Sequence, residues 1–230
     1  MTGIKITREM SPQAYREALR TAGVDLSTPQ RIDEAMEPWR EAMDAFFQED
    51  ERPVMEELWA AGHTFESIEK LHNYEDEVVL AAAPILFKHL SDRSCLVRES
   101  IAGALHRKGI RPWWHQIRDL YVEEARIAGP RPADGKRSVA HRTAESLASL
   151  LSYLSAKKFE PDILELVEDE SLGESRIIPL VDLGRSRCPE VLKRLEALVD
   201  TDPYIQYELK RAIKKIKAGL ARQAEKARNT

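Results

Sequence analysis

Apolar residues recur along this chain at the spacing of helices, and short polar turns interrupt them at intervals. Asp76–Leu90 sets Leu80, Ala83, Phe87 and Leu90 three or four residues apart, which gathers them on one helical face. Pro84 inside that stretch either kinks the helix or begins a second one. Ser94–Lys108 is the next helix, stopped by Gly109, and Pro112 opens another with Trp113, Ile117, Leu120 and Tyr121 on one side. Ser138–Ala156, Pro161–Asp169, Gly173–Leu183, Pro189–Asp200 and Pro203 to about Arg222 follow, with Pro161, Pro189 and Pro203 at helix starts. Upstream, Ser11-Pro12 starts a helix to Ala22, and Thr28-Pro29 starts one to Phe47 with a kink at Pro38. Pro53–Ala61 reads as a separate short helix ended by Gly62, and Thr64–Leu71 as the next. No strand is predicted, because runs such as Val78-Val79-Leu80 continue a 3.6-residue period.

Four of these stretches share one register. Arg98, Ala140, Glu174 and Gln206 form a column whose steps are 42, 34 and 32 residues. Six residues on stand Ala104, Ser146, Leu180 and Ala212, and beside them the apolar Leu105, Leu147, Val181 and Ile213. Steps of this size predict stacked helix pairs, each too small to bury its own apolar face alone.

The turn-plus-helix pattern (Asp, then Val-Arg, then small residues) resembles HEAT repeats. Asp92, Val97, Arg98, Ala102 and Ala104 carry the resemblance, as do Asp200, Asp202, Pro203, Ile205 and Ala212 in the last repeat. It covers about residues 78–218. Joined to the segment 53–71, it is similar to a group of uncharacterised bacterial HEAT-repeat domain proteins. The resemblance implies an all-α fold, a right-handed α-solenoid of HEAT-like helix pairs at 78–222. Residues 1–77 read as an acidic N-terminal helical cap, with a separate acidic domain as the alternative, and 223–230 as a disordered basic tail. In such repeats the Arg after Val pairs with turn aspartates along the stack. Only Arg98 keeps it in the column. Arg142 and Arg176, each two residues beyond its column position, either replace it or are released for partner binding.

Charge is distributed unevenly. Residues 1–77 carry 8 Lys/Arg against 18 Asp/Glu, residues 78–204 carry 19 of each, and residues 205–230 carry 8 against 2. The net charge of −4 argues against a general nucleic-acid binder. The two cysteines, Cys95 and Cys188, lie too far apart in sequence to suggest a metal or disulfide framework. MTGIKITREM has no signal-peptide core and no apolar run reaches membrane length, so a cytoplasmic protein is expected.

Candidate chemistry is sparse. The six histidines form no His-x-x-x-His pair, and no metal or cofactor is expected. Gly129–Ser138 fails as a phosphate loop: five residues separate its glycines, and Lys136 precedes Arg137 rather than Ser or Thr. It reads instead as the segment most prone to move. Second helices of stacked pairs line a concave face, and Glu99, His141, Arg142, Glu145, Glu174, Arg176, Tyr207, Glu208 and Lys210 are read as facing outward there. Trp113 and Trp114 diverge by about 100° on a helix, so one of them points away from the core unless another element covers it. The expected function is therefore non-enzymatic: a scaffold, such as a bacterial immunity or regulatory protein, that grips an unidentified protein partner. Arg142, Glu174, Arg176 and Tyr207 would be its contacts and Trp114 a hydrophobic anchor. The alternative is a nucleic-acid protein similar to HEAT-like DNA glycosylases, which the four glutamates on that face oppose. A small-molecule enzyme on the same scaffold is a third reading.

Overall fold

The computed structural model describes residues 3–8, 10–92, 97–130, 138–199 and 205–228. Ten α-helices occur among them and no strand: α1 (Pro12–Thr21), α2 (Pro29–Ala60), α3 (Asp76–Ser91), α4 (Arg98–Ala104), α5 (Trp114–Ala128), α6 (Val139–Leu154), α7 (Glu160–Glu168), α8 (Ile177–Leu183), α9 (Pro189–Leu198) and α10 (Gln206–Arg228). Short 3-10 turns at Glu69–Asn73, Lys108–Trp113, Lys157–Phe159 and Glu170–Arg176 connect several of them.

Helix starts follow the local signals. The Ser11 hydroxyl accepts the Ala14 N–H at 3.1 Å, and Thr28 accepts that of Arg31 at 3.3 Å. Each satisfies an amide that the first helical turn leaves bare. The break expected between Phe47 and Pro53 is absent, and α2 runs unbroken through Pro38 and Pro53. Pro84 likewise lies within the single helix α3. All three prolines are exposed, so the carbonyls they leave without a donor can face water. The segment 64–68 is irregular rather than helical. α10 remains helical to Arg228, through most of the segment expected to be a disordered tail.

Packing follows chain order. α3 pairs with α4, α5 with α6, α7 with α8 and α9 with α10, while α4, α6, α8 and α10 lie side by side. One continuous apolar core runs from Val54 to Ile216. A second, smaller cluster joins Tyr15 and Leu19 of α1 to Met36 of α2, with Ile4, Ile6 and Met10 against it. The large core reaches into the N-terminal 77 residues: Val54, Met55, Leu58, Phe65, Ile68 and Leu71 all belong to it.

Planar side chains at the start of the second helices tie three of the four pairs together. Arg98 donates from Nε to the Leu90 carbonyl of α3 at 2.6 Å, and Arg176 donates to the Val167 carbonyl of α7 at 3.1 Å. Gln206 donates to the Val199 carbonyl just past α9 at 2.9 Å. The last carbonyls of a helix have no partner within it, and each of these side chains supplies one. Arg98 also faces Glu124 of α5 at 2.8 Å, both side chains being 4% exposed. Gly173 bends the chain ahead of α8 at φ 62°, a backbone conformation that side chains with a Cβ rarely adopt.

Candidate functional site

The outward stripes of α4, α6, α8 and α10 form one continuous surface, because these helices lie side by side. α6 is set by Ser138, whose hydroxyl accepts the His141 N–H while His141 Nδ1 lies 2.7 Å from the same hydroxyl. Thr143, Ala144, Leu147, Leu150, Leu151 and Leu154 turn inward. That leaves Arg142, Glu145, Ser149 and Tyr153 on the opposite side, spaced three or four residues apart. Arg142 Nε donates to Glu99 of α4 at 3.2 Å, with the two side chains 47% and 50% exposed. One end of the stripe is Tyr153, whose ring tilts against His106 at 5.5 Å. Burial holds the His106 imidazole below its ordinary pKa, so it favours the neutral ring.

α8 is joined to α6 through the Ser152 hydroxyl, which donates to Asp182. It buries Pro179, Leu180 and Leu183 and leaves Val181 exposed, with Ile177 and Ile178 half-buried. Glu174, in the turn before α8, borders a small recess with His141, Glu145 and Ser175. On α10, Tyr207 is 72% exposed, and the Arg211 guanidinium sits 5.7 Å from its ring centre. Lys210 and Lys214 are exposed beyond it.

Two expected contacts lie elsewhere. Trp114 is 1% exposed, stacked on Phe159 with ring centres 4.0 Å apart, and its Nε1 donates to Asp162 at 3.1 Å. It is core, because it shares a face with Ile117 and Tyr121; Trp113 is the half-covered one, stacked on Phe87. Arg176 is also 1% exposed, its guanidinium held by the Gly173 and Val167 carbonyls. Neither side chain is presented to a partner. Arg142, Glu174 and Tyr207 do lie on the outward side, and the structure brings Arg142 to Glu99 and Glu174 to His141 and Glu145.

Tyr153 and Val181 were not foreseen as surface residues. Val181 stood in the apolar set with Leu105, Leu147 and Ile213, which are buried, yet it is 41% exposed. Arg176 matches Arg98 in its bond to the preceding helix, so the register of α8 runs two residues later than the pattern suggested. Leu183, buried at 1%, is then the partner of Leu105. The signal was present in the spacing: Arg98 follows Leu90 by eight residues and Arg176 follows Val167 by nine.

A second depression, an open groove of about 630 Å³, lies between α5 and α7. Its arginines are engaged, Arg118 with Asp119 and Arg126 with Asp169, each at 2.9 Å. Among the described residues no group of three or more His, Cys, Asp or Glu is placed to hold a metal ion, and no helix is long and apolar enough to cross a membrane. The rejected phosphate loop, Cys95 and the turn residues Asp200, Asp202 and Pro203 fall mostly or wholly outside the described residues. Comparison with protein-family models, with curated proteins and with solved structures finds no match to this chain.

Proposed function

We propose that the chain is a HEAT-like α-solenoid that binds a protein partner, in the cytoplasm and without catalysis, through the outward face of α4, α6, α8 and α10. One observation carries this reading. Tyr153, Val181 and Tyr207 are large, exposed and carried one each by three successive neighbouring helices. Exposed apolar and aromatic side chains bury much area on docking. Charged residues on the same outward side, Glu99 paired with Arg142 and also Glu174, give the polar rim that specificity needs. A mixed face of this kind suits a folded protein better than a phosphate backbone, which Glu99, Glu145 and Glu174 would repel. A regulatory or immunity role in a bacterial cell is a concrete form of the proposal.

The test is affinity capture from the native cell with wild type and with Val181→Glu combined with Tyr207→Ala. Both sites are exposed, so the melting temperature stays close to that of the wild type. The expected result is loss of the captured protein by the double variant. An identical captured set from both baits sinks the assignment of this face.

A further inference from the structure

The two ends of the packing order carry opposite charge in matching geometry. On α2, Asp33, Glu37, Glu41 and Asp44 follow one another at spacings of four, four and three, which places them on one helical side, and all four are exposed. The opposite side of α2 packs Ile32, Met36 and Trp39 into the small N-terminal cluster. On α10, Lys210, Lys214 and Lys217 repeat the spacing four and three and are likewise exposed, while Leu209, Ala212, Ile213 and Ile216 turn inward. At 1.5 Å per residue the acidic run is about 16 Å long and the basic run about 10 Å, so the shorter lies within the longer. Arg40 already bonds Asp33 and Glu37, and Lys217 bonds Glu196. Glu41, Asp44, Lys210 and Lys214 make no ion pair with another described residue. α2 packs on α1 and α3, and α10 on α8 and α9, so each stripe is left facing solvent.

We propose that the basic stripe of one copy docks on the acidic stripe of a second copy, a head-to-tail contact between molecules of this chain. The complementary surface sits on the same molecule, at the same concentration, with the same three- and four-residue period. A nucleic-acid strand along α10 would meet Glu208 on that helix and Glu174 at the turn before its neighbour α8. Because two different surfaces meet, the contact is heterologous, and it propagates into a ring or an open chain instead of stopping at a symmetric dimer. Exposed charges drive it, so salt governs it: the screening length falls from about 30 Å at 0.01 M to about 3 Å at 1 M. Lys210 and Lys214 share a side of α10 with Tyr207, so this contact borders the docking face proposed above, but its argument rests on charge alone and not on that reading.

Sedimentation velocity tests it. At low salt the weight-average mass of the wild type rises above the 26.2 kDa of one chain as concentration increases, and at high salt it returns to that value. Two charge-reversed variants follow, Lys210→Glu/Lys214→Glu and Glu41→Lys/Asp44→Lys. Each alone sediments as a monomer at low salt, with unchanged helical circular dichroism. An equimolar mixture of the two associates again, since the acidic α2 of the first meets the basic α10 of the second. A wild type that stays monomeric at low salt overturns the proposal. So do variants that associate as the wild type does, or a mixture that stays monomeric. Retention of a DNA duplex by a monomeric wild type, lost in the α10 variant, would assign the stripe to phosphate and overturn it as well.

Discussion

Replacing Arg98 by methionine removes two interactions at the junction of α3, α4 and α5. The guanidinium donates to the Leu90 carbonyl at 2.6 Å and faces Glu124 at 2.8 Å, with both charged side chains 4% exposed. Removing one partner of a buried pair leaves the other charge in a poorly solvating interior, at a cost of about 3–5 kcal/mol. In a chain of this length about 1 kcal/mol lowers the melting temperature by about 2–4 °C, so the loss reaches roughly 6–20 °C. Urea unfolding followed by circular dichroism measures it directly. Changing Glu124→Leu in the Arg98→Met background removes the buried carboxylate that Arg98 faced and recovers most of the loss. What is not recovered measures the cap on Leu90, about 1 kcal/mol or somewhat more for a charged donor. Arg142→Met is the control: its pair with Glu99 is half exposed, and such pairs contribute about 1 kcal/mol or less. If Arg98→Met costs no more than Arg142→Met, or the double variant is no more stable than Arg98→Met alone, the buried-pair account fails.

Three further outcomes follow from single residues. Burial raises the Glu51 carboxyl pKa, against the pull of the Ile68 N–H at 3.0 Å, and the charge on Glu69 adds to the rise. The folded state thus holds its proton longer than the unfolded one. Its contribution is greatest below pH 4.5 and is lost as pH rises through the elevated value, so Glu51→Gln gains stability relative to wild type over that rise in urea titrations. Burial pushes the Tyr121 phenol up to about 12, with Ser175 at 3.0 Å pulling the other way. In an alkaline absorbance titration this tyrosine stays un-ionised past pH 10, and the fold loses stability between pH 10 and about 12; normal titration of all six tyrosines in the folded protein refutes this. Gly219 lies under the Arg187 guanidinium, whose Cζ is 2.3 Å from where a Cβ would stand. Gly219→Ala therefore stabilises α10 by about 1 kcal/mol in an Arg187→Ala background and by less in the wild type, where Arg187 must leave the Arg185 and Ser186 carbonyls. Equal gains in both backgrounds would falsify the packing of Arg187 on Gly219.

From α3 onward, residue spacing marked which side of each helix turns inward. Leu80, Phe87, Leu147 and Leu151 are inward because an amphipathic helix has one side that water disfavours, and that side is written in residue spacing. Proline was a poorer guide. Pro53 and Pro84 look like breaks in sequence, but a proline on a solvated face costs a bond that water can replace, and only the tertiary structure says which face is solvated. The same holds for charge. Arg142 and Arg176 occupy like positions in sequence, yet one is on the surface and one is sealed inside. Arg176 reaches back to the Val167 carbonyl at the end of α7, whereas Arg142 extends along the surface to Glu99 of α4. Tyr207 was legible as a surface residue because charged neighbours surround it, whereas Val181 was not. An apolar side chain is assigned inward by default, and only the position of α8 between α6 and α10 leaves Val181 uncovered. Sequence thus specified which residues could share a face, and packing decided which faces met another helix and which met water.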